Sequence, residues 1–148
     1  YEPGELKVVA FDEQGKTVDS VSVFTAGNPH KLLLEVDKST CNIPGANLVY
    51  ITVTMLDEQG NPVPDADNEL FFTVSGAGHF KAVCNGDPTS LQSFTEPHMK
   101  LFHGKLVVIV EGDNMKGDIT LTVHDKEMNI SKNITIHNTG NALQVHDQ

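Results

Sequence analysis

The sequence has no tryptophan, no arginine, only two cysteines and two tyrosines, and no apolar run of membrane-spanning length. Each shortage closes off a class of function. Ten lysines stand against twenty aspartates and glutamates, giving a formal net charge of −10. A surface of that sign repels the phosphate backbone that a nucleic-acid binder must neutralise. Anionic membranes are disfavoured for the same reason, and insertion would need about 20 consecutive apolar residues. Sugar binding leans on broad aromatic faces, so a chain without tryptophan is poorly equipped for it. Cys41 and Cys84 are too few for a small secreted disulfide framework and lack the C-x-x-C spacing of a metal site. The sequence leaves open whether they bridge, since their Cα atoms would have to lie within about 7 Å.

What is present is a strand-and-turn vocabulary. Val, Ile and Thr account for 35 of the 148 residues, in short runs broken by Gly, Pro, Asn and Asp, and no long stretch keeps a 3.6-residue apolar period. The pattern predicts an all-β fold with strands at Leu6–Phe11, Val18–Phe24, Lys31–Val36, Leu48–Leu56, Glu69–Val74, Phe80–Cys84, Lys105–Glu111, Asp118–His124 and Asn133–His137. In the fourth of these Val49, Ile51, Val53 and Met55 alternate with Tyr50, Thr52 and Thr54, which assigns the first set to a core. Leu106 to Val110 is almost continuously apolar, which predicts a central strand covered on both faces or lying between two sheets. The span from Lys31 to His124 suits an immunoglobulin-like β-sandwich. The segment Asp-Glu-Gln-Gly occurs at 12–15 and again at 57–60, each time ending an apolar run, and reads as a strand-ending turn.

The first two strands, joined by the turn at 12–16, form a hairpin, and Thr25 to Pro29 is a breaker cluster that reads as a linker. Three divisions follow: a hairpin over 1–27 from a neighbouring β domain, a sandwich over 28–128, and a C-terminal strand and tail over 129–148. The hairpin's apolar residues Leu6, Val8, Val21 and Val23 call for a cover such as an upstream domain, and without it the hairpin is expected to pack on the sandwich, associate with a second copy or be mobile. Since the chain opens at Tyr1 without an initiator Met or a signal-like segment, it reads as a piece of something longer.

Catalytic motifs are missing: the sequence contains no G-x-S-x-G, no H-E-x-x-H and no phosphate-binding glycine loop. The acidic cluster Asp65, Asp67 and Asn68 offers alternating oxygen ligands, yet it lacks the rest of a calcium loop and fits a turn entering a strand. His98 and His103 with Asp87 could be imagined around a metal, but an irregular loop gives no periodicity to converge them, and solvated histidines are the plainer reading. The connection from Asp87 to His103 is the longest without a strand pattern and is the first place to look for contacts.

Leu48–Val53, followed by DEQGNPVPDADNELFFTVSGAGHF, AVCNGDPTS, FHGKLVVIVEG and GDITLTVH, resembles the C-terminal immunoglobulin-like domain of bacterial glycoside hydrolase family 2 enzymes of the β-galactosidase type, as found in Bacteroides-like bacteria. The most specific parts are Pro64–Asn68 and the loop Asn85, Gly86, Asp87, Pro88, Thr89 and Ser90. The opening 27 residues are similar to the end of the domain that precedes this module, and Ser39–Gly45 reads as an insertion-like loop. The resemblance implies a non-catalytic accessory domain with no cofactor and no metal, since the family's catalytic glutamates lie in a (β/α)8 barrel elsewhere. Its implied partners are the upstream domains of a parent glycosidase in the periplasm or outside the cell. An adhesin-type surface module and a carbohydrate-binding module are the alternatives.

Overall fold

The structure is a computed structural model that describes residues 2–41 and 47–140. Eleven strands account for its regular structure: β1 (Glu5–Phe11), β2 (Thr17–Phe24), β3 (Lys31–Val36), β4 (Thr40–Cys41), β5 (Leu48–Leu56), β6 (Glu69–Gly76), β7 (Gly78–Cys84), β8 (His98–Lys100), β9 (Lys105–Gly112), β10 (Gly117–Asp125) and β11 (Ile130–Asn138). They form a five-stranded sheet in the order β4-β11-β10-β6-β8, a four-stranded sheet in the order β3-β5-β9-β7, and a separate β1-β2 hairpin. All pairs are antiparallel except β11 with β4. The first two of these sheets face each other as the β-sandwich that the strand pattern predicts.

The core follows the period-2 alternation of the strands. Val49, Ile51, Val53 and Met55 of β5 are fully buried, as are Val108 and Val110 of β9. The opposite sheet contributes Leu70, Ile119, Leu121, Val123 and Ile136, again with no exposure. The expectation that β9 is covered on both faces needs correction. Leu106, Val108 and Val110 are buried, whereas Val107 and Ile109 on the outer face are only half-buried. Neighbours β5 and β7 flank them in the sheet, and among the described residues no further layer lies above.

Two further differences have physical causes. The division at residue 128 does not fall at a structural boundary. Strand β11 pairs with β10 from Ile130 to Asn138, and Ile136 is buried in the core. Alternation along β11 is interrupted by Ser131, Lys132 and Asn133, which hides its first half. The connection from Asp87 to His103 contains β8, whose three residues are too few to show a period. Of the insertion-like loop, Asn42–Gly45 lies outside the described residues.

Gly76 shows where close approach selects glycine. It ends β6 at φ +91, and a Cβ there would collide with the Asp118 carbonyl. The bend it permits turns β6 directly into β7, carrying the chain from one sheet to the other.

Candidate functional site

The junction between hairpin and sandwich starts from the two Asp-Glu-Gln-Gly turns. In the first, the Asp12 carboxylate accepts the N–H groups of Gln14 (3.0 Å) and Lys16 (2.8 Å), while Gly15 closes the turn at φ +78. The second repeats this around Asp57, which accepts the Asn61 backbone N–H at 2.7 Å, with Gly60 at φ +92. Asp57 has more: the Asn61 side-chain amide donates to its other oxygen at 3.0 Å, and so does the Gly27 N–H of the linker at 2.9 Å. The residue is 1% exposed. The Gly27 amide foremost, opposed by burial and then helped by Asn61, lowers the carboxyl from 3.8 to about 2.

This clasp fixes where the hairpin leaves the sandwich. His30 N–H donates to the Leu56 carbonyl and Thr25 N–H to the Gly4 carbonyl, and Ala26 packs against the core. A cleft of about 370 Å³ opens beside the linker, walled by Ser22, Val23, Phe24, Ala26, Pro62 and Pro64. Beyond it stands the hairpin. The register Leu6↔Val23 and Val8↔Val21 puts these four side chains on one face, and each is between 61% and 70% exposed. A contiguous apolar quartet left in water on a two-stranded ribbon is a surface built to be covered.

The other candidate residues serve the fold. Asn68 donates its side-chain amide at 2.7 Å to Asp125, a buried carboxylate that also accepts the N–H groups of Glu127 and Met128. Asp65 and Asp67 are exposed beside it. Asp87 accepts the Thr89 N–H at 2.8 Å and the Thr89 hydroxyl at 2.7 Å, which draws its carboxyl below the ordinary range. His98 bonds Glu69 at 2.9 Å and stacks on Phe71, while His103 lies against the Phe102 ring. The structure therefore ties His98 to Glu69, away from Asp87, while His103 stays near enough to Asp87 to add slightly to the lowering of its carboxyl. No group of three or more His, Cys, Asp or Glu side chains among the described residues is placed to hold a metal ion.

The NGDPTS loop is stitched to the sandwich. Asn85 donates to the Lys100 carbonyl and accepts the Asp87 N–H, and Gln92 accepts from the Lys100 N–H. The backbone of the connection reaches β7 and β6 through Val83 to Phe94 and Phe72 to Pro97. Cys41 and Cys84 are unpaired, and burial raises the Cys41 thiol. Sequence reasoning missed the Asp57 clasp. The repeated turn motif was visible, and the residue that follows it differs, Lys16 against Asn61, but neither copy shows by itself that one captures an amide 30 positions away.

The fold defines the class as a β-sandwich module carrying an N-terminal hairpin with an uncovered apolar face. Residues 32–134 match the family model "Glycoside hydrolase family 2 C-terminal domain 5", and the chain belongs to that family. It is 42% identical over 122 residues to the β-galactosidase BoGH2A of Bacteroides ovatus, covering 82% of this chain and 14% of that protein. A solved β-glycosidase from Bacteroides vulgatus superposes with a TM-score of 0.84 at 33% identity, over 93% of this chain and 18% of that one. The chain thus spans less than a fifth of the length of these relatives. The D00-D0 region of intimin also superposes, with a TM-score of 0.55 at 18% identity, over 91% of this chain and 64% of that one. That likeness is one of fold alone.

Proposed function

We propose that this chain is the docking and stabilising module of a larger β-galactosidase-type glycoside hydrolase, joined to the preceding domain through its N-terminal hairpin. The observation that carries the proposal is the apolar quartet Leu6, Val8, Val21 and Val23, exposed beside a sandwich whose own core is complete. The similarity to BoGH2A supports a parent that acts on β-galactosides, and the family resemblance supports a periplasmic or secreted location. The fixed linker geometry supports a domain held at a set orientation.

Two measurements test it. The intact parent should hydrolyse a chromogenic β-galactoside while the purified 148-residue chain does not, and turnover that tracks the chain would overturn the accessory role. Val8→Asp should lower the melting temperature of the parent clearly more than that of the chain alone, because only the parent covers this face. Equal effects in both would remove the docking role. If instead the isolated chain forms a concentration-dependent dimer that Val8→Asp abolishes, a second copy is the occupant. Fractionation of the producing cells checks the location.

A further inference from the structure

We propose that Asn85 is a self-modification site, at which the Asn85-Gly86 pair deamidates and so loosens the loop after β7 by removing one of its two side-chain ties to Lys100 of β8. The proposal is independent of the docking role. Asn85-Gly86 is the one Asn-Gly pair among the eleven asparagines of the sequence. Its glycine stands at φ +78, with no atom within 4 Å of the place a Cβ would occupy, and it is exposed. Among the described residues no acceptor takes the Gly86 N–H. The backbone nitrogen that must attack is therefore free of a competing hydrogen bond and belongs to an exposed residue.

The asparagine side chain is held by a hydrogen bond at each end of its amide. Asn85 Oδ1 accepts the Asp87 N–H at 3.0 Å, which folds the side chain back along the backbone that follows it. When the Gly86 nitrogen adds to Cγ, negative charge develops on that oxygen, and a backbone N–H already points at it. The Gly86 nitrogen gives its proton to solvent base and bonds to Cγ. The Cγ–Nδ2 bond then breaks, and ammonia leaves with a proton from solvent. Water opens the resulting five-membered imide at either carbonyl, giving aspartate or isoaspartate. The net change is one water consumed and one ammonia released, with no oxidant or reductant.

The consequence lies in the other half of the amide. Asn85 Nδ2 donates to the Lys100 carbonyl at 2.9 Å, tying the loop to β8. A carboxylate has no proton to donate there, so two acceptors face each other and the tether is lost. The isoaspartate product also lengthens the backbone by one carbon and disrupts the Asp87 turn.

The full 148-residue chain, incubated in mildly alkaline buffer and analysed by peptide mapping, should show aspartate and isoaspartate at position 85 several-fold ahead of conversion at any other asparagine. Conversion at position 85 no faster than elsewhere would overturn the proposal. The Asn85→Asp variant copies one product, and limited proteolysis should cut it within residues 85–97 several-fold faster than the parent chain. Equal cleavage rates would show that the Lys100 contact does not hold the loop, and the loosened-loop part of the proposal would fall.

Discussion

Asp12 and Asp57 close the same turn by accepting backbone N–H groups, and the difference between them is what lies within reach of the second carboxylate oxygen. For Asp57 it is the Gly27 amide of the linker, in a site closed to solvent. Its carboxyl stands at about 2 in the fold against an ordinary 3.8. The depressed folded value means that the unfolded chain takes up the proton first, so this contribution to stability is fully present above the ordinary value. It shrinks as the pH falls below 3.8 and is gone once the pH has passed through about 2. Asp87 and Glu111, drawn down chiefly by Thr89 and by the Lys81 ammonium at 2.6 Å, act in the same direction. Asp57→Asn keeps an acceptor oxygen but cannot titrate. Over this acid window its melting temperature should fall less than that of the parent chain, and parallel curves would remove the clasp from the account.

At the scale of elements, apolar content alone does not decide burial: β1 is the more apolar of the two strands compared and β10 the more buried. Leu121 in β10 is fully buried and Leu6 in β1 is 70% exposed. Leu121→Ala should therefore destabilise the chain by about 2–5 kcal/mol through lost burial and a residual cavity. Leu6→Ala should stay within about 0.5 kcal/mol, as surface substitutions do. Urea unfolding of the two variants checks the contrast. Alternation made β5 and β10 readable in the sequence, because every second residue there is large and apolar. It could not reveal β4 or β8, whose two and three residues carry no period and whose places are set by pairing partners far along the chain. The hairpin's uncovered face was legible as apolar residues in search of a cover. The clasp beneath it was not, because it joins residues 30 positions apart through a side chain.

At the scale of the molecule, the sandwich extends to Asn138, and β11 occupies a place between β10 and β4. Deleting residues 129–148 strips the β10 edge of its partner from Gly117 to Asp125 and removes Ile136 from the core. Such a loss is comparable with the whole stability of a domain, about 5–15 kcal/mol. The truncated chain should lose cooperative thermal unfolding, and a sharp transition near that of the full chain would place β11 outside the folding unit.

The contact between β4 and β11 bears on how the molecule comes to be folded. After β3 has paired in one sheet, the chain crosses within a few residues to the other, where Thr40 and Cys41 lie parallel to His137 and Asn138. Ser39 and Cys41 offer their carbonyls to the N–H groups of His137 and Thr139. Strands β4 and β11 thus seal one edge of the sandwich across roughly a hundred residues of chain, the kind of non-local pairing that makes β-sandwiches fold in milliseconds to seconds. A ribosome making this protein has to release the residues of β11 before that seam can close. Until then, Thr40 and Cys41 wait without their β11 partner.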